Sequence, residues 1–373
     1  MPELDSLRGV AILLVLFYHG YFWMYNVTGL HGVAKAFVEA TRPGWLGVNL
    51  FFVLSGFLIT GILLQSKSKD DYYRRFYARR ALRILPAYYA LLLLLFLTGL
   101  KPYSFLLLSF FYLANVTPLF GVPQVYPVLW SLAVEEQFYL LWPTVVHQLP
   151  VRVLERCVIG IVCVVPVLRA VAFLLGWQEG LSSYTWFVAD GLAMGAWLAM
   201  YVRRPELNRE TLARISAGAV GFATLATFAG APYGILTRER LLGATFQESC
   251  GDLAFAGVLG LVLLLGTSQW KQFVQWPVLK FYGDISYGLY LIHLFVITQC
   301  NRLLGNLWPQ LPAGVGHFGI MTLRFAIYTS CATGLAFLSR RYFEEPFLRM
   351  KDRFVPTRMK AVPHGAADQN EQA

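Results

Sequence analysis

An all-α integral membrane protein with about ten transmembrane helices and both termini in the cytoplasm is the fold class this sequence predicts. Three observations predict it: the apolar bias of the whole chain, the recurrence of apolar windows of membrane length, and a one-sided placement of Lys and Arg. Over 373 residues, 57 % are hydrophobic and only 14 % charged, which is too apolar for a soluble globule of this length. Windows of about 17 to 23 mainly apolar residues are long enough to cross a ~30 Å hydrocarbon core as helices. They recur at 7–26, 45–65, 84–100, 130–148, 157–176, 184–202, 215–230, 249–268, 285–304 and 318–340. The stretch 103–120 is apolar but too short to span, and reads as a re-entrant or interfacial piece.

The net charge of +10 would suit nucleic acid, but its distribution excludes that partner. With the N-terminus inside, 23 of the 31 basic residues fall in cytoplasmic segments, five in outer loops and three within helices (Arg169, Arg302 and Arg324). Such a bias orients the helices and places both termini in the cytoplasm. The first helix is expected to be retained, because "MPELD" is acidic and no small-residue cleavage site follows the apolar run. The five cysteines lie in or beside apolar spans without CxxC spacing and read as small core residues. Residues 1–348 read as one membrane domain; 349–373 read as a short cytoplasmic tail, expected to be disordered, because apolar periodicity is lost after about Arg353.

The chemistry begins in the first helix, which carries Arg8 and His19 inside an apolar segment. Eleven residues make about three helical turns, so the two share a face with Ile12 and Val15, about 16 Å apart. A charge near the bilayer centre costs ~3 kcal/mol, so such residues face a protein interior or a wet cavity. An imidazole there can take a proton from a hydroxyl, and a carboxylate can fix its tautomer. The candidates are Asp5, one turn before Arg8, and Glu135 or Glu136 in "WSLAVEEQFYLLWP". Adjacent glutamates point about 100° apart, so one is expected to face the cavity and the other the headgroups. His19 reads equally as a hydrogen-bonded structural residue.

The segment "YYRRFYARRALRILPAYY" supplies a second cluster, on the inner side. Basic inner loops commonly orient helices and attract anionic lipid. Here, however, Arg80 and Arg83 stand one turn apart, so two guanidiniums can converge on one polyanion whose far end points toward His19. His293, mid-span in "GDISYGLYLIHLFV", could line the same cavity, though a structural role is favoured, and Arg169 and Asp190 read as a pair at similar depth. A nucleophile elbow, an HExxH zinc motif and the His–Asp spacing of soluble glycerolipid acyltransferases are all missing from the sequence. No metal is therefore expected.

The opening "LDSLRGVAILLVLFYH", "GVNLFFVLSGFLIT" (47–60), "FYARRALRILPAYY" (76–89), "WSLAVEEQFYLLWP" (130–143), "ISYGLYLIH" (285–293) and "YFEEPFL" (342–348) together resemble acyltransferase family 3, the bacterial membrane O-acyltransferases. Six blocks in order over about residues 4–348 make the resemblance specific. It maps the family's Arg-ten-residues-His motif onto Arg8 and His19, its Arg-x-x-Arg motif onto Arg80 and Arg83, and its Trp-Ser-Leu…Glu block onto Trp130, Ser131, Leu132 and Glu135. It implies a multi-pass protein of the bacterial inner membrane that moves an acyl group other than aminoacyl, commonly acetyl, from acyl-CoA on the cytoplasmic side. The acceptor it implies is a hydroxyl of a carbohydrate, glycolipid or related small molecule. On that reading Arg80, Arg83 and Arg8 hold the donor, His19 is the general base, and Glu135 orients it. Asp5 is a further catalytic candidate, and Ser131, Trp130 and Glu136 are candidate acceptor contacts. The sequence carries no SGNH hydrolase-like segment, so a stand-alone member is expected. A transporter or flippase is the rival class, since intramembrane Asp, Glu, Arg and His also build transport pathways.

Overall fold

The computed structural model describes residues 2–24, 30–265, 272, 275–304 and 315–354, and all regular structure among them is helical. The α-helices are α1 (Pro2–Phe17), α2 (Gly32–Thr41), α3 (Gly47–Ser66), α4 (Tyr72–Leu97), α5 (Tyr103–Phe110), α6 (Leu129–Gln148), α7 (Val151–Leu174), α8 (Thr185–Tyr201), α9 (Arg209–Gly230), α10 (Leu241–Leu265), α11 (Pro277–Leu304), α12 (Val315–Leu338) and α13 (Glu345–Phe354). Two π-helical turns interrupt the pattern, Tyr18–Trp23 after α1 and Ser339–Glu344 between α12 and α13.

Among the described residues, eight helices are long and apolar enough to cross a membrane. They include α4, α7, α10 and α11 by themselves, whereas α1 and α9 span together with the turns that follow them, α3 together with α2 and the turn between, and α12 together with the π-turn and the start of α13. The windows at 130–148 and 184–202 are helical too, as α6 and α8. In α6 the glutamate pair lowers the hydropathy, and α8 has only 17 residues. The stretch 103–120 does not cross: α5 has eight residues and a 3₁₀ segment, Ala114–Phe120, follows it. Lys271 and residues 355–373 of the tail lie outside the described residues, and α13 carries the chain through Phe354.

The helix α4 starts at Tyr72, twelve residues before the apolar window begins, so the basic cluster is helical and not a loop. Arg, Ala and Leu are good helix formers, and the helix passes through Pro86, whose ring forfeits only the bond to the Leu82 carbonyl. The outward faces are apolar: on α9, Phe222, Leu225 and Phe228 are 65 %, 69 % and 74 % exposed. In water such a belt is a liability, but against lipid it is the favourable surface.

Two close parallel crossings set the frame, α1 against α11 and α3 against α8. At the first, a Cβ on Gly9 would stand 2.0 Å from the Leu279 carbonyl oxygen, and one on Gly283 would stand 1.8 Å from that of Asp5. Only glycine allows backbones this near, the small-residue packing that replaces the hydrophobic drive within lipid. At the second, Gly56 and Gly195 play the same part against Leu192 and Val53. Side chains stitch the remaining helices: Trp142 Nε1 donates to Thr60 Oγ1 at 2.8 Å and the Tyr126 hydroxyl to the Leu291 carbonyl at 2.7 Å.

Arg169 and Asp190 pair as expected, fully buried, at 2.7 Å. Ser249 joins them, donating to Asp190 Oδ2 at 2.6 Å. Nearby Asn49 Nδ2 donates to Glu248 Oε2 at 3.0 Å and to Asp252 Oδ1 at 2.9 Å. This network ties α3, α7, α8 and α10 together where hydrocarbon offers no solvation.

Candidate active site

The expected residues divide between two places. The first is a cavity of about 640 Å³ enclosed by α1, α3, α4, α6 and α11, with Leu348 of α13 on its rim. Its wall follows α3 from Val48 to Ser66, about 27 Å at 1.5 Å per residue. The volume lies in the range of small-molecule sites, about 300–1,000 Å³.

At one end the cavity is lined by Lys69, Arg75 and Arg79, and deeper by Arg80, Arg83 and Arg8. The helical period explains the gathering: Arg79 and Arg83 stand four residues apart on α4, with Arg80 and Arg83 three apart, and α1 brings Arg8 against them. Arg8, Arg80 and Arg83 act on one another electrostatically, and like charges are held together only where a counter-charge or an anionic ligand offsets them. The carboxylates come from α6. Glu135 and Glu136 both line the cavity and both lie in the field of Arg80. This corrects the expectation that one would turn to the headgroups, because the cavity is wide enough to embrace more than 100° of α6. Arg80 also stacks over the Tyr139 ring at 4.4 Å.

Glu135 does not orient His19. It accepts from Ser55 Oγ at 2.6 Å and from the Tyr139 hydroxyl at 3.2 Å, so it belongs with the arginines. Asp5 likewise sits beside Arg8 in its field, and is neither on the cavity wall nor hydrogen-bonded to His19 among the described residues. Trp130 is not among the residues lining the cavity; it packs edge-on to the lining residue Phe52, ring centroids 5.8 Å apart, in a cluster with Val134 and Val188. Ser131 is on the wall, its Oγ 2.5 Å from the Tyr290 hydroxyl.

The second place lies beyond Tyr290. His19, half-buried in the π-turn after α1, hydrogen-bonds through Nδ1 to the Val15 carbonyl at 3.0 Å and to His293 Nε2 at 3.3 Å. The rings of His19 and His293 are 5.0 Å apart, and that of His293 is 5.8 Å from Tyr290. Trp23 stands edge-on to His19 at 5.5 Å. A π-turn at this point is itself informative, since such insertions concentrate at functional sites. The chain therefore joins an arginine-lined cavity to a histidine pair through Tyr290 and Ser131. Ser55, Tyr139, Tyr290, Lys69, Arg75 and Arg79 are site residues that the sequence reading missed. The first three carry no local signal, while Arg75 and Arg79 stood in the basic segment beside Arg80 and Arg83 without being singled out, and Lys69 lies three residues before it. Among the described residues, no cluster of His, Cys, Asp or Glu has the arrangement of a metal site.

A polytopic helical membrane protein with a polyanion-sized basic cavity beside a histidine pair is the class this fold and site define. The chain belongs to acyltransferase family 3: the model of that acyltransferase domain matches residues 1–341. It is 26 % identical over 367 residues to the peptidoglycan O-acetyltransferase OatA of Listeria monocytogenes, covering 87 % of this chain and 54 % of the relative. To the putative peptidoglycan O-acetyltransferase YrhL of Bacillus subtilis it is 29 % identical over 343 residues, 82 % of this chain and 50 % of the relative. To the O-acetyltransferase OatA of Staphylococcus aureus it is 27 % identical over 335 residues, 81 % and 51 % respectively. The chain spans about half the length of these curated relatives. No solved structure matches it.

Proposed function

We propose that this chain is a ten-span O-acyltransferase of the bacterial inner membrane, with both termini cytoplasmic, that moves an acyl group, acetyl by preference, from acyl-CoA to a hydroxyl of a carbohydrate acceptor. The observation that carries the reading is the cavity that gathers Arg8, Lys69, Arg75, Arg79, Arg80 and Arg83. Guanidiniums at helical spacing match the bidentate geometry of phosphate oxygens, and a donor with several phosphates at one end and a thioester at the other suits an elongated site that is basic at one end only. Glu135 and Glu136 temper the repulsion among the arginines. Along the cavity the thioester end comes to Ser131 and Tyr290, and past them to His19.

There His19 Nε2 takes the proton of the acceptor hydroxyl as its oxygen attacks the thioester carbonyl. The C–S bond breaks, and the same proton passes from His19 to the leaving thiolate. The named activities of the relatives, O-acetyltransferases of peptidoglycan in two of the three, support a carbohydrate hydroxyl as acceptor.

The test follows label from radiolabelled acetyl-CoA with the purified chain, together with His19→Gln. Release of CoA with transfer or hydrolysis of acetyl is expected, and His19→Gln should lower it about 10²- to 10⁴-fold with little change in thermal stability. Label that crosses a vesicle membrane unreacted would mark a transporter and overturn the proposal. A stable His19→Gln protein with near wild-type rate would remove His19 from the mechanism.

A further inference from the structure

We infer that His293 is a positioning residue for His19, holding the imidazole in one tautomer with Nε2 toward the acceptor. The inference rests on His19 being the base of the proposed reaction. It starts from which nitrogens can donate. His293 Nδ1 lies 2.8 Å from the Tyr290 carbonyl and 3.2 Å from that of Leu289. A carbonyl oxygen only accepts, so Nδ1 carries the hydrogen and, in the neutral ring, Nε2 carries a lone pair. That lone pair faces His19 Nδ1 at 3.3 Å. By the same rule His19 Nδ1, 3.0 Å from the Val15 carbonyl, is also protonated. The hydrogens therefore run in one direction, from His19 Nδ1 to His293 Nε2 and from His293 Nδ1 to backbone oxygen, which leaves His19 Nε2 as the basic nitrogen.

Burial makes the arrangement directional. His293 is fully buried, so bulk solvent does not compete with His19 for its Nε2. When His19 takes the acceptor's proton it becomes an imidazolium, and its Nδ1–H becomes the stronger donor. Two acceptors wait for it, Val15 O and His293 Nε2. This is the part a carboxylate plays in a hydrolase triad, performed here by a neutral imidazole; Glu135 is engaged elsewhere, with Ser55 and Tyr139. The two histidines lie 274 residues apart in the chain and meet because α1 and α11 cross at Gly9 and Gly283.

The test compares His293→Leu, His293→Gln and wild type in thiol release from acetyl-CoA by the full chain, with His19→Gln as a separate control and with each His293 variant also placed in the His19→Gln background. Leucine removes the acceptor and should lower kcat about 10- to 100-fold, the worth of one hydrogen bond to a charged group, with the KM for acetyl-CoA unchanged. Glutamine offers a carbonyl oxygen near the Nε2 position and should recover most of the rate. In the His19→Gln background neither change should cost more, because positioning a base that is absent has no value. ¹⁵N spectra of histidine-labelled protein should show the His19 Nδ1 resonance move in His293→Leu and return toward its place in His293→Gln.

If His293→Leu keeps wild-type kcat while His19→Gln is inactive, His293 does not position the base, and the base itself stands. Losses that add in the double variant overturn the inference too. If His19→Gln is fully active, the base reading fails first, a result distinguishable from either. Should His293→Leu fail to accumulate, His293→Gln decides: a stable glutamine variant with leucine-like loss and an unmoved His19 resonance overturns the inference.

Discussion

Replacing Gly283 with alanine tests the frame on which both halves of the site depend. An alanine Cβ there would lie 1.8 Å from the Asp5 carbonyl oxygen and 2.6 Å from its carbon. The obstacle is backbone, so no rotamer change relieves it. Restoring a carbon–oxygen contact of about 3.3 Å requires α1 and α11 to part by about 1.5 Å. Overpacking of this kind costs ~1–3 kcal/mol. Ten residues further along α11, His293 holds His19 at 3.3 Å, and the interaction is lost beyond about 3.5 Å. Only a small part of the displacement need reach the histidine pair to break it. Gly283→Ala should therefore lower both detergent-solubilised thermal stability and acyl transfer. Gly160→Ala is the control: no atom lies within 4 Å of a Cβ there, and replacing glycine within a helix should be neutral or add up to ~1 kcal/mol. A Gly283→Ala protein with wild-type melting and wild-type transfer would refute the claim that this crossing sets the site.

Arg80→Ala and Arg83→Ala should raise the KM for acyl-CoA more than they lower kcat, since a phosphate contact is made in ground state and transition state alike; normal donor binding in the accumulated variants would return both arginines to a topological role. Arg80→Lys should recover only part of the loss, because an ammonium neither forks nor stacks on Tyr139 as a guanidinium does. Asp190→Asn, breaking the buried pair with Arg169, should cost ~3–5 kcal/mol in thermal or denaturant unfolding, and the double change Arg169→Met, Asp190→Leu should cost much less. Reporter fusions at residues 70, 205 and 360 should all signal cytoplasm; a periplasmic signal at any of them breaks the ten-span topology.

The helices and their approximate limits were legible in the sequence, because a membrane-length apolar run and the 3.6-residue period are properties of contiguous chain. Arg8 and His19 share a face for the same reason, as do Arg80 and Arg83. Legibility failed first at helix ends. The apolar window beginning at 84 hid that α4 starts at Tyr72, since hydropathy measures lipid preference while helix formation follows backbone hydrogen bonding and propensity.

Contacts between helices were beyond any local pattern. Among the described residues His19 has no carboxylate partner of the kind its chemistry suggests and meets His293, for which the sequence favoured a structural role. Glu135 turns to Ser55 and Tyr139, and Glu136 shares its cavity. Trp130, next to a cavity residue in sequence, packs on Phe52 and is not itself among the lining residues. Each outcome depends on crossing geometry, set by where Gly9, Gly283, Gly56 and Gly195 let backbones approach. Sequence by itself determined which helices exist and what chemistry each carries, since those follow from short-range periodicity and solvation. The tertiary structure alone decided which residues meet, since that is fixed by the register between helices distant in the chain.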